Sequence, residues 1–282
     1  MRFLIWGGWL WACIASAQTL CYLTPVDGYW QVVTRNLDGT GRKILTHSLF
    51  DKKDPVFHPD GKRIFFSGVN QGVFSVNLKS GKEKKIPTTI SGIRGLKFSK
   101  DGKQTLFYRA RVDANDQSEI WRGDSVLQNN ARIIYRPGLQ RYPDGNKDFS
   151  TILYLSGRAV TGHDIWIYRP QEDKHIRVTK DMLPEGAPSI SPSGQWAVFP
   201  SAPEGVYNIF LVDIGKATSQ LLFPNEHALL DLDWINDQEI VCVIMKKSGE
   251  PQLAKANIQE KNLVELPWKE EHGVRSPSIY KP

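Results

Sequence analysis

The feature that most constrains this chain is a short phrase that returns at intervals of roughly 40–50 residues, the period of propeller blades. The phrase is an apolar strand that ends in a proline and an Asp-Gly turn. It reads DPVFHPDG at 54–61, LKFSKDG at 96–102, LQRYPDG at 139–145 and APSISPSG at 187–194, with a degenerate fifth copy, LDWINDQ, at 232–238. Each copy is followed by a strand rich in aromatic and β-branched residues: RIFFS at 63–67, QTLFY at 104–108, TILYL at 151–155, QWAVF at 195–199 and EIVCV at 239–243. Asp-Gly between two such runs is a strong hairpin signal. A third apolar strand comes next, for example DIWIY at 164–168, and a more polar fourth closes each unit, for example KHIRVT at 174–179. Four antiparallel strands per repeat make one blade.

Five whole blades fill residues 54 to about 267 on this repeat. The fragments left at the two ends complement each other. Leu20–Leu23, Tyr29–Thr34 and Lys43–Thr46 read as strands two to four of a blade that lacks its first strand, and Arg275–Tyr280 reads as a lone first strand. The expected fold is therefore all-β: a six-bladed β-propeller of four-stranded antiparallel blades, its ring closed by the C-terminal strand joining the N-terminal blade. Closure hides the strand edges that would otherwise invite association. The 17 prolines and 23 glycines spread along the chain suit many short strands joined by turns.

Residues 1–17 carry Arg2, an apolar run from Phe3 to Ile14, and Ala15 and Ala17 around a small-residue cleavage site, the pattern of a signal peptide. The expected division is a signal peptide over 1–17 and one propeller domain over 18–282. No later run approaches the roughly 20 apolar residues of a membrane span. Leu10, Trp11 and Ala12 precede Cys13 as in a lipoprotein signal, but Trp11 fits that pattern badly. Export permits disulfides. Cys21 and Cys242 nevertheless sit in apolar strands and are expected as buried free thiols. The net charge of +6 comes from 36 basic and 30 acidic residues scattered along the chain. Its densest cluster, Lys79, Lys82, Lys84 and Lys85, reads as a solvated outer strand, and nucleic acid is not an expected partner.

The Xaa-Pro first strand, the Pro-Asp-Gly turn, the Ile-aromatic third strand and the closing Leu-Thr resemble the repeat of the TolB propeller family. The best matches are Asp54 to Gly61 with Lys62, Arg63 and Ile64, and Ile44 to Thr46 after the turn Leu37 to Thr40. The resemblance covers the propeller part alone, because no counterpart of the family's N-terminal α/β domain is recognised. It implies a periplasmic propeller that docks an envelope protein, such as a peptidoglycan-associated lipoprotein, at one mouth of its channel; a monomer is expected because a closed ring needs no partner to cover its edges.

No Gly-x-Ser-x-Gly elbow or phosphate-binding glycine loop is present. Asp60, Asp101 and Asp144 are expected in the tight turns, where Asp bonds its own backbone. Trp121, Trp166, Trp196 and Trp234 are expected to pack between blades. All connections from a fourth strand to the next first strand lie at one mouth of a propeller. That mouth is expected to gather Asp54, Arg94, Glu185, Asp231, Asp233 and Arg275, a mixed charged rim suited to a polypeptide or polar ligand and needing no cofactor. His47, His227 and His272 fall in three such connections. Converging there with Asp231 or Glu271, they would make a transition-metal site, and the alternative function is then a metal-dependent carbohydrate lyase of the oligogalacturonate-lyase type.

Overall fold

The computed structural model describes residues 18–110, 117–158, 162–180, 186–222, 224 and 227–281. Residues 1–17, expected as a signal peptide and including Cys13, and Glu185 lie outside the described residues. The strands form six separate four-stranded antiparallel sheets. Their inner strands, first in each blade, run Lys52–Phe57, Ile93–Phe98, Leu139–Gly145, Ser189–Ile190, Ala228–Trp234 and Arg275–Ile279. Each inner strand neighbours the next, and the last neighbours the first, so the ring closes. The sixth blade is built from both ends of the chain: Arg275–Ile279 pairs with Thr19–Val26, which pairs with Tyr29–Asn36, and Lys43–Ile44 completes the sheet.

The second strands explain why the ring forms. A strand covered on both faces needs apolar residues at every position rather than at alternate ones. In the first blade, Ile64 and Phe66 face the sixth blade with Cys21, Leu23 and Val32, whereas Phe65 between them faces the second blade with Ile93, Leu96 and Phe107. The same division recurs around the ring, and six buried clusters fill the six blade junctions. Trp234 is fully buried between the fourth and fifth blades with Trp196 packed beside it; Trp121 and Trp166 pack at the first–second and second–third junctions. Cys21 and Cys242 are buried free thiols in different clusters, as expected.

One turn differs from the sequence reading. Asp60 and Asp101 do cap their turns, accepting the Lys62 and Lys103 amides at 2.8 and 3.0 Å. Asp144 does not, because the strand Leu139–Gly145 runs straight through the Tyr-Pro-Asp-Gly sequence. The turn comes later, where Asp148 accepts the Ser150 amide at 3.2 Å and Phe149 takes the left-handed conformation, φ 59°, that glycine takes in other blades. Asp144 is thereby freed for the channel.

Because Arg275–Ile279 covers the edge of Thr19–Val26 and closes the core formed by Leu20, Tyr22 and Ile279, deleting residues 275–282 is expected to abolish cooperative unfolding. Urea titration followed by tryptophan fluorescence tests this, and a wild-type midpoint in the shortened chain would contradict it.

Candidate functional site

Inner strands are the inner edges of their sheets, so their outward-facing amides look into the channel without a strand partner. Four of the six place proline in the same register: Pro55, Pro143, Pro188 and Pro277, with Leu96 and Leu232 in the other two. Proline suits an edge because it has no amide to satisfy. The residue before it occupies a β-bulge, and Asp54, Gly95, Tyr142 and Ser276 all take left-handed φ values between 49° and 58°. Such a bulge redirects its side chain from the sheet face toward the channel.

Two tiers of side chains result. In the outer tier Asp54 accepts the Gly95 amide at 3.2 Å, and Asp231 accepts the Ser276 amide at 2.8 Å. In the inner tier Asp144 accepts the Ile190 amide at 2.9 Å, and Asp233 accepts the Ile279 amide at 2.9 Å. Each of these carboxylates satisfies an edge amide of the next blade. Asp233 also accepts its neighbour Trp234 amide, the Ser189 hydroxyl at 3.2 Å and the Lys281 ammonium at 2.7 Å, so it joins the fourth, fifth and sixth blades. Lys97 reaches Asp144 across the second–third junction at 3.8 Å.

The channel has two chambers that meet at Val56, Lys97 and Ser278. The chamber at the mouth of the fourth-to-first connections, about 320 Å³, is lined by Asp54, Tyr142, Asp231 and Arg275. It shares Gly186, Asp231 and Arg275 with an adjoining apolar crevice of about 490 Å³, walled by Trp30, Pro200, Tyr207, Leu230, Met245 and Pro251. Arg275 lies 3.8 Å over the Trp30 ring, a cation–π stack that fixes it at the border between the two. The other chamber, about 200 Å³, opens at the turns between first and second strands and contains Asp144, Asp233 and four lysines.

Of the expected rim, Asp54, Asp231 and Arg275 line the first mouth together. Asp233 does not: it lies two residues deeper along its strand than Asp231 and opens on the opposite chamber. Arg94 lines neither chamber and turns its guanidinium to its own neighbour, the Ile93 carbonyl. His47, His227 and His272 do fall in the connecting segments 45–51, 222–227 and 266–274. They are not brought together: among the described residues no group of three or more His, Cys, Asp or Glu side chains is placed to hold a metal ion. His272 stays 70% exposed beside Glu271, and His47 is exposed, its amide donating to Glu83. Lys97 and Lys281 were not singled out by the sequence, and Asp144 was expected in a tight turn rather than in the channel. Aligning the inner strands on their prolines rather than on Asp-Gly puts Val56, Lys97, Asp144, Ser189, Asp233 and Ser278 in one register, which is the signal that finds Lys97 and Asp144.

The two tiers differ electrostatically. Burial raises the Asp54 carboxyl, reinforced by Asp231 and opposed by the Gly95 amide and Arg94. Burial would also raise Asp233, but Lys281, Lys97 and the Ile279 amide hold it below the usual carboxylate range. Lys97 is the converse case: burial would lower it, and Asp144, Asp233 and Asp54 hold it up.

These features define a closed six-bladed propeller with a charged channel divided at a waist. The fold is that of the TolB propeller. TolB from Acinetobacter baumannii superposes with a TM-score of 0.74 at 20% identity over 93% of this chain and 66% of that one. A protein assigned to TolB from Agrobacterium tumefaciens gives 0.72 at 15% identity over 88% of both chains. An oligogalacturonate lyase in complex with manganese shares the fold at 0.63 and 14% identity, over 89% of this chain and 76% of that one. In sequence, the Tol-Pal system protein TolB of Rhizorhabdus wittichii is 35% identical over 74 residues, 24% of this chain and 17% of that protein. The matched stretch is thus under a fifth of that relative's length. No protein-family model matches the chain.

Opposite pKa directions give opposite stability effects. Asp233, depressed in the fold, contributes stability that is fully present above the unfolded carboxyl value of about 3.9 and is lost as pH falls through its lower folded value. Asp54, raised in the fold, contributes in the other direction: its protonated form is the favoured one, so stability is gained as pH falls through its folded value toward the unfolded one. Asp233→Asn is expected to cost about 3 kcal/mol at pH 7, since a buried, paired carboxylate is removed and an amide donor faces the Ile279 amide. Asp54→Asn keeps an acceptor for Gly95 and is expected to leave stability at pH 7 unchanged or higher. Urea midpoints from pH 7 to pH 3 test both, with the Asp233 difference shrinking in acid.

Proposed function

We propose that this chain is an exported propeller of the bacterial envelope, with residues 1–17 as its signal and 18–282 as one domain, and that it docks a protein without transforming it. The docking surface is the mouth at the fourth-to-first connections. The observation that carries this reading is the continuity of that mouth with the apolar crevice through Gly186, Asp231 and Arg275. Protein interfaces combine an apolar, aromatic-rich anchor with a polar rim. Here Trp30, Tyr207, Leu230 and Met245 supply the first, and Asp54, Asp231 and Arg275 the second. The likeness of a 74-residue stretch to a Tol-Pal system protein supports an envelope partner, of the kind of a peptidoglycan-associated lipoprotein. Since Asp54 and Asp231 already accept amides of the ring, the partner meets their outward lone pairs and the Arg275 guanidinium, with the apolar crevice as the main source of affinity.

Cross-linking of intact cells followed by purification and mass spectrometry is expected to recover one envelope protein in near-equal amount. Met245→Glu, which puts a charge on the crevice wall, is expected to reduce that recovery by about tenfold or more, the scale of a central interface residue. The variant's thermal midpoint should stay near wild type. Recovery of nothing above background, or recovery that Met245→Glu leaves unchanged, would overturn the docking reading.

A further inference from the structure

The opposite mouth carries chemistry that docking does not use. Its chamber is lined by Lys97, Lys100, Lys147 and Lys281 against two carboxylates, Asp144 and Asp233. Those two carboxylates are largely committed to the ring. Asp233 accepts four donors, including the Lys281 ammonium, and Asp144 accepts the Gly145 and Ile190 amides. The lysines are not committed to the same degree. Lys97 stands at the waist, 3.8 Å from Asp144, beyond hydrogen-bond reach, and its ammonium makes no hydrogen bond among the described residues. Lys100 and Lys147 come from the turns of the second and third blades, both exposed at the rim, and their backbones are tied by the Lys100 amide donating to the Lys147 carbonyl at 2.8 Å.

That tie fixes the backbones of two rim lysines on adjacent blades at the chamber into which Lys97, half-buried and faced by Asp54, Asp144 and Asp233, also opens. Lysines brought together at the open end of a concave, partly apolar chamber attract anionic groups, and walls of low dielectric strengthen the attraction. Phe98 and Tyr280 supply the apolar part of the wall. The chamber, about 200 Å³, has the size of a small group rather than of a folded domain.

We propose that this mouth is an oxyanion-binding site, in which Lys97 at the floor and Lys100 and Lys147 at the rim hold a ligand bearing carboxylate or phosphate groups. It lies across the waist from the docking mouth and does not depend on that reading. Each ammonium that pairs with an anionic oxygen adds one charge-assisted bond, and such bonds are the strong ones in proteins.

Titration calorimetry at low salt, with citrate as the carboxylate probe and inorganic pyrophosphate as the phosphate probe, tests the site. The wild-type chain is expected to bind at least one probe at 1:1 stoichiometry, with affinity falling as salt is raised. The probe that binds tells which kind of oxyanion the site prefers. The double variant Lys100→Gln/Lys147→Gln is expected to weaken binding by about tenfold or more, the equivalent of one charge-assisted bond, and Lys97→Met should weaken it at least as much. Both rim lysines are exposed, so the double variant keeps the test valid should Lys97→Met fail to fold. The control is Lys84→Gln/Lys85→Gln on the outer strand Glu83–Lys85, which removes the same charge away from the chamber and is expected to leave the affinity unchanged. No binding of either probe, or an equal loss in the control, would overturn the proposal.

Discussion

Everything in this structure depends on how the inner edge of each sheet is satisfied. A blade is an open sheet, and its first strand presents amides to the channel without a strand partner on that side. Unpaired amides buried there would each cost about 1–3 kcal/mol. The chain answers with carboxylates in register: Asp54 to Gly95, Asp144 to Ile190, Asp231 to Ser276 and Asp233 to Ile279. These bonds join the first blade to the second, the third to the fourth and the fifth to the sixth. Lys97 and Asp144 face each other across the second–third junction, and Trp234 and Asp233 bond Ser189 across the fourth–fifth. At the sixth–first junction the apolar cluster of Cys21, Leu23, Phe57 and Phe66 is joined by the Arg275 guanidinium donating to the Lys52 carbonyl at 3.5 Å and by Asp51 accepting the Trp30 amide at 2.9 Å.

This arrangement decides what the mouths can do. Acidic groups at the first mouth are partly spent on the ring, so the docking proposed there would rest on Arg275 stacked on Trp30 and on the apolar crevice beside it. At the second mouth the acids are more deeply engaged and the lysines less so, which leaves a positive balance. One channel thus carries two surfaces of different character, separated at Val56, Lys97 and Ser278.

The fold was legible because its signals are local and repeated. Asp-Gly turns, two-faced apolar second strands and the complementary fragments at the ends each follow from short-range pattern, and closure of the ring follows from counting. The site was legible only in part. Asp54, Asp231 and Arg275 sit where strand order places them, but Asp233 falls in the other chamber because one step of two residues along an inner strand crosses the waist. Asp144 was hidden by a Pro-Asp-Gly sequence that mimics a turn, while the true turn uses Phe149 where glycine is usual. Histidines in connecting segments share a mouth without converging, because a ring several blades wide keeps its connections apart. Which amide each carboxylate accepts belongs to the next blade, and no single repeat contains that information.

The most direct test of this account is amide hydrogen exchange at the inner edge. In the wild-type chain the amides of Ile190, Ser276 and Ile279 are predicted to exchange only through global unfolding, despite having no strand partner on the channel side. Asp233→Asn is predicted to accelerate Ile279 while leaving amides of the second strands at their global rate. Fast exchange of these three amides in the wild-type chain would contradict the claim that channel carboxylates hold the ring together.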